Sequence, residues 1–374
     1  MAMALLMSLV ACQTTEILDQ RQDSRINLRT SVNTATKAVG LSTNHLKTQG
    51  FHLAVFQGKI GDADVVKYFE MDMDRDQFKE DGYYTPYFWE DRTLHFYAWY
   101  PKSEQAGSMT VDPDNGYAIT YAPAENAAEQ KDFSVAYNIG TKEENGSSGV
   151  NMNFRHALSQ VEIIVNNAST LAYNNVIVKA VKVGNAIKSG TFGMPVYPTD
   201  EAVSEENRLT GLWSGNVRTN TGDKNLRTYS IVHDSPITII KGQQHSVMGA
   251  AGNWMVVPQV NSEEQFWNPE EGGAGDKMYM GLLVKLMQGS ATVYPSASTP
   301  EEDKVGDYAW TAVPIPAGSA LEAGKKYTFT LTFIINSGNA GNRISDGKEI
   351  LSHPIKLVVT VDDWVEVSNG ETLY

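Results

Sequence analysis

Residues 326–335 read KYTFTLTFII. Tyr327, Phe329, Leu331, Phe333 and Ile335 share one parity, and three threonines fill the other. Successive side chains of a strand point to opposite faces, so this pattern predicts a half-buried antiparallel strand. The same period recurs along the chain. FHLAVF (51–56) places Phe51, Leu53 and Val55 on one face. LHFYAWYP (94–101) sets Leu94, Phe96, Ala98 and Tyr100 opposite His95, Tyr97 and Trp99. IKLVVTVDDWVEV (355–367) puts Leu357, Val359, Val361, Val365 and Val367 on one side, interrupted by Asp363. Clusters of Gly, Asn, Asp and Pro punctuate these runs, and helical windows such as AENAAEQKDF (124–133) are short. Many short strands with turn signals predict an all-β chain of antiparallel sandwiches.

A length of 374 residues suggests two domains, and 41% apolar residues is enough for large cores. The net charge of −14 argues against nucleic acid and against direct contact with anionic membrane faces. GTKEENGSSG (140–149) is charged, rich in Gly and Ser, and carries no apolar period. It is the expected linker, dividing an N-terminal β-sandwich at 26–148 from a C-terminal one at 149–374. The second part holds the longer loops, YPTDEAVSEENRLTG, NSEEQFWNPEEGGAGDK and YPSASTPEEDKVGD.

The only cysteine is Cys12, behind Leu9-Val10-Ala11 and before a polar run. A lone Cys forms no internal disulfide. The tetrapeptide resembles the lipobox of bacterial lipoproteins, in which the Cys thiol takes a diacylglyceryl group. That resemblance implies a signal peptide at 1–11, a polar tether at 12–25 and contact with membrane through the lipid anchor alone. MAMALLMSLVAC lacks the basic residues usual at a signal peptide's start, and its apolar run is too short to span a bilayer.

Catalytic and metal chemistry is not predicted, and no cofactor is. Asp72, Asp74 and Asp76 have calcium-loop spacing, but Gln77 stands where Gly is needed and Tyr83 where Glu is needed. GLWSG (211–215) has the wrong spacing for a nucleophile elbow. Seven His are scattered singly, and His156 is expected at a core edge, bonded to backbone. Asp362 and Asp363 point to opposite faces of a strand, poor geometry for shared acid–base work. Tyr83, Tyr84, Tyr87, Phe88 and Trp89 crowd one short span, and Trp213 and Trp267 sit beside loop-like segments. Flat rings stack on sugars, so a glycan-binding surface lipoprotein is the alternative function; the plainer reading packs these rings into the core.

VNMNFRHALSQVEIIVNN (150–167) changes parity near Ser159–Gln160, which suggests a bulge. Its F-x-H-x-L-S-x-V run resembles a signature of the fimbrillin family, the Mfa-like surface lipoproteins and type V pilins of Bacteroidia. INLRTSV, FWEDRTLHFYAWYP, WMVVPQ, GKKYTFTLTF and VVTVDDWVEV resemble further segments of that family in the same order. The resemblance implies two tandem transthyretin-like antiparallel β-sandwich domains in an elongated subunit, not an enzyme. It implies a pilus subunit, anchor or tip at the outer membrane and cell surface. Its partners would be other fimbrillin subunits, in a head-to-tail polymer, and a host or bacterial surface ligand. It implies cleavage by an arginine-specific protease, for which Arg21, Arg25 and Arg29 are the candidates, followed by donor-strand exchange. The C-terminal strand carrying Leu357, Val359, Val361, Val365 and Val367 is then a donor, or the sandwich's own last strand. A filling strand that buries about 500 Å² of apolar area contributes on the order of 10 kcal/mol before entropy.

Overall fold

The computed structural model describes residues 25–32, 46, 48–57, 65–72, 77–80, 83–102, 109–112, 118–168, 173–195, 212–219, 222–259, 267–315, 320–333, 341–349, 351 and 355–363. Four sheets organise them. The first has eight strands in the order β1 (Leu28–Val32), β10 (Val150–His156), β9 (Ser134–Gly140), β6 (Leu94–Tyr100), β2 (Phe51–Phe56), β3 (Val65–Asp72), β4 (Gln77–Glu80) and β5 (Tyr83–Thr85). A second runs β14 (Trp213–Ser214), β13 (Gly190–Gly193), β8 (Ala118–Tyr121), β7 (Met109–Asp112). A third runs β16 (Gln243–Ser246), β11 (Ser159–Asn167), β22 (Lys325–Phe333), β23 (Ile355–Asp363), with β17 (Trp254–Val256) also on β11. The fourth runs β15 (Leu226–Ile240), β12 (Asn175–Ile187), β18 (Tyr279–Gln288), β21 (Tyr308–Pro314), β20 (Lys304–Val305), with β19 (Ala291–Tyr294) on β18. The protein is all-β. The AENAAEQKDF window holds only a 3₁₀ turn at Ala127–Glu129, capped by the Asn126 side chain.

Periodicity explains the layering. In β22, Tyr327, Phe329, Leu331 and Phe333 are buried and the threonines between them are half-buried. They share one core with Val161, Ile163 and Val165 of β11 and with Val176, Val178, Leu282 and Val284 of the fourth sheet. Strands β2 and β6 are buried on both faces, so both parities do packing work. Phe51, Leu53, Val55, Leu94, Phe96, Ala98 and Tyr100 enter one core. Ala54, Phe56, Tyr97 and Trp99 enter another, shared with Ile119, Tyr121, Phe192 and Trp213 of the second sheet.

The parity change in residues 150–167 is not a bulge. Strand β10 belongs to the first sheet and β11 to the third, and the chain crosses between them at Ala157 and Leu158. The crossing is pinned at both ends: the Ala157 N–H donates to Phe133 O at 2.8 Å, and the Gly324 N–H donates to Leu158 O at 2.8 Å. GTKEENGSSG joins β9 to β10, antiparallel neighbours in one sheet, and contains a one-turn helix at Lys142–Asn145 capped by Thr141.

Candidate functional site

The N-terminal segment is a strand held asymmetrically. Strand β1 pairs parallel with β10, from Leu28 opposite Val150 to Val32 opposite Phe154. The Val150 N–H donates to Asn27 O at 2.9 Å. On the other side the contact is brief: the Ile26 N–H donates to Tyr87 O at 2.8 Å, and Arg25 forms an isolated antiparallel bridge with Phe88. Ile26 and Leu28 anchor the segment. They are 1% and 5% exposed, in the core of Phe51, Leu53, Val150, Met152 and Phe154. Alternation turns Arg29 to solvent, while Arg25 is half-buried. Gly149, with φ +75°, lets the chain approach this segment. A Cβ there would sit 3.1 Å from Asn27 O and 3.5 Å from Arg29 Cγ.

The C-terminal candidates lie on β23, which pairs antiparallel with β22 over nine residues. Leu357 and Val359 are half-buried against the core beneath that sheet, and Val361 lies in the same strand. Cys12, Arg21, Val365 and Val367 lie outside the described residues. The structure therefore places Arg29 on β1 of the first sheet and Arg25 three residues before that strand, in the bridge to Phe88, with Leu357, Val359 and Val361 on the edge of the third sheet.

His156 departs from expectation. It is 2% exposed, and its Nδ1 lies 2.5 Å from Asp132 Oδ2; the partner is a buried carboxylate rather than backbone. Ser134 Oγ donates to the same carboxylate oxygen at 2.7 Å. The three residue types invite comparison with a nucleophilic triad, but the geometry is wrong for one. Ser134 Oγ sits 3.5 Å from Nδ1, the nitrogen already bound to Asp132, whereas a triad needs serine and carboxylate on opposite ring nitrogens. The cluster ties the start of β9 to the end of β10, where His156 and Ser134 are register partners. Burial, and then the nearby Asp132 carboxylate, push the Tyr100 hydroxyl up to about 12. No spacing in the sequence marks Asp132 or Ser134 as partners of His156, because only the β9–β10 register brings them together.

The tryptophans singled out in the sequence lie in the core. Trp89, Trp213 and Trp267 are buried. The Trp213 indole donates to Ala157 O at 2.7 Å, and that of Trp267 to Gly272 O at 2.8 Å. In the Tyr83–Trp89 cluster Tyr83 and Phe88 are exposed, at 76% and 39%, and Tyr87 is half-buried. Asp72 lies in β3, while Asp74 and Asp76 fall outside the described residues. Among the described residues no group of three His, Cys, Asp or Glu could hold a metal ion. Among them, too, no helix is long and apolar enough to cross a membrane.

Several solved structures are similar to this chain. A candidate cell adhesion protein of Bacteroides uniformis is 15% identical, covering 91% of this chain and 99% of its own, with a TM-score of 0.45. The tip fimbrial protein Mfa3 of Porphyromonas gingivalis, with C-terminal truncation, is 11% identical over 91% of this chain and 100% of its own, with a TM-score of 0.34. A fimbrial assembly protein of Parabacteroides distasonis is 11% identical over 90% and 99%, with a TM-score of 0.38. No curated protein matches. The fimbrillin-like profile matches residues 36–364, nearly the whole chain, and the protein therefore belongs to the fimbrillin-like family.

Proposed function

We propose that this fimbrillin-like protein, a structural component of a surface pilus and not an enzyme, is assembled by exchange of its N-terminal strand. In this reading the chain is exported as a lipoprotein, anchored through Cys12 on a tether of residues 12–25. The two sheet pairs are its tandem transthyretin-like sandwiches. An arginine-specific protease removes the segment ending at Arg21, Arg25 or Arg29, and a strand from a neighbouring subunit takes the vacated place. Repetition of such a heterologous contact gives a filament rather than a closed ring.

The observation that carries the reading is the asymmetric hold on β1. Among the described residues its ladder is to β10, and Ile26 and Leu28 are buried at its start. Burying two such residues stabilises by about 3–6 kcal/mol, enough to seat the strand and little enough to release it. Cleavage after Arg29 takes Ile26 and Leu28 away and frees the backbone of β10 at Val150 and Asn151; release of the remaining Thr30–Val32 opens the edge as far as Phe154, the kind of edge that accepts an added strand.

The test is digestion of the purified chain with an arginine-specific protease. Loss of the N-terminal segment with SDS-resistant ladders supports the reading, provided the triple variant Arg21→Lys, Arg25→Lys, Arg29→Lys forms none. Cleavage without ladders, or equal ladders from the variant, removes it. Anchoring is tested separately: Cys12→Ala should release the protein from membranes, and continued membrane association would remove the lipid anchor from the scheme.

A further inference from the structure

Strand β23 closes the third sheet. One side pairs with β22 from Ile355 opposite Phe333 to Asp363 opposite Lys325, with no register shift. Among the described residues no strand pairs with the other side. A long regular edge is a template for another strand, and proteins usually blunt one with proline, a bulge, shortness or charged side chains. Strand β15, the long edge of the fourth sheet, is blunted in this way. It carries Pro236 and a register shift opposite Lys179, whose Nζ donates to His233 O at 2.6 Å and Asp234 O at 3.2 Å. Strand β23 has no proline and no register shift over its nine residues; what it carries is charge of both signs, Lys356 near one end and Asp362 near the other.

Its side chains are instead arranged to meet a copy of themselves. Lys356, Val358, Thr360 and Asp362 are exposed, Val358 at 46%. About Val359 as a centre, Lys356 mirrors Asp362 and Val358 mirrors Thr360. Two β23 strands laid antiparallel with Val359 on the two-fold axis place Lys356 of each copy opposite Asp362 of the other. Even positions face even positions, so the inner face stays inner on both sides. The row that reaches this edge already alternates in charge. Glu162 pairs with Lys326 at 2.7 Å, and Lys326 stands opposite Asp362 in the ladder. Lys356 from a second copy extends the series as negative, positive, negative, positive.

We infer that the free edge of β23 is a homodimer seam, filled by β23 of a second copy and joining two third sheets into one continuous sheet. The contact is isologous and therefore closes on itself, which separates it from any head-to-tail assembly. It does not depend on cleavage of the N-terminal segment.

Sedimentation of the intact, uncleaved chain over a concentration series tests the seam. The expected result is a reversible monomer–dimer equilibrium. Lys356→Asp and Asp362→Lys, each alone, set like charges opposite each other at both ends of the seam and should weaken dimerisation about tenfold or more. The double variant K356D/D362K should dimerise like the parent. An equimolar mixture of the two single variants should form a mixed dimer, because the introduced carboxylate at 356 meets the introduced amine at 362. All four side chains at issue are exposed, so circular dichroism should be unchanged. A parent chain that is monomeric throughout, single variants that dimerise like the parent, or a mixture that stays monomeric would each overturn the inference.

Discussion

Leu28→Ala tests how β1 is held. Leu28 is 5% exposed and packs with Val150, Met152 and Phe154, while Arg25 and Ile26, just before its strand, meet the Tyr87–Phe88 side. Truncating a buried leucine costs about 2–5 kcal/mol, and a strand at the margin of a core can relax toward the low end, about 2–3 kcal/mol. If β1 opens locally, that cost falls on the opening equilibrium rather than on global unfolding. At about 1.4 kcal/mol per tenfold, the open population rises roughly 30- to 140-fold. Arg29 is exposed in side chain but locked in backbone, so cleavage after it requires the opening. When cleavage is slower than reclosing, its rate follows the open population. The assay is mass-spectrometric timing of cleavage after Arg29, with Phe329→Ala as control. Phe329 is 1% exposed in the core beneath β22, far from β1 in the ladder order, and its loss should lower global stability without speeding this cut. An acceleration below about threefold for Leu28→Ala, or equal acceleration for both variants, would refute the local-opening argument.

Three further outcomes are expected. Asp132→Asn breaks the buried pair with His156 and should lower unfolding free energy by about 3 kcal/mol in urea titration; a loss below about 0.5 kcal/mol would mean the pair contributes nothing net. Gly149→Ala forces a side chain into φ +75° and against Asn27 O, so it should cost about 1–2 kcal/mol and speed hydrogen exchange at the β1–β10 ladder, read by mass spectrometry. Ultraviolet titration should show Tyr100 silent near pH 10, because burial and Asp132 raise it to about 12 in the fold. The sign follows from the raised value: its contribution to stability is whole below pH of about 10, where the unfolded tyrosine is still neutral, and is lost as pH climbs through about 12.

Local period was legible in the sequence because burial imposes it directly. The alternation at Tyr327, Phe329, Leu331 and Phe333 is the alternation of buried and half-buried residues in β22. Pairing was less legible, since a period of two says which face a residue takes and nothing about which strand lies beside it. Thus β1 and β10, and likewise β11 and β22, are parallel neighbours far apart in the chain, and neither pairing has a local signature. The parity change before β11 was visible, but a bulge and a change of sheet give the same string of letters; only the crossing at Ala157 and Leu158 separates them. His156 shows the same limit in the candidate site. Its burial follows from sharing parity with Phe154, yet its carboxylate partner is fixed by the β9–β10 register, which brings Ser134 and hence Asp132 alongside. Strand β23 is the converse case. Its sequence reads like any last strand, and the mirrored Lys356 and Asp362 acquire meaning only once the ladder shows that one side of the strand has no partner among the described residues. An edge is a property of the whole topology, so residue patterns identify the strands that build a sheet well before they identify the strand at its border.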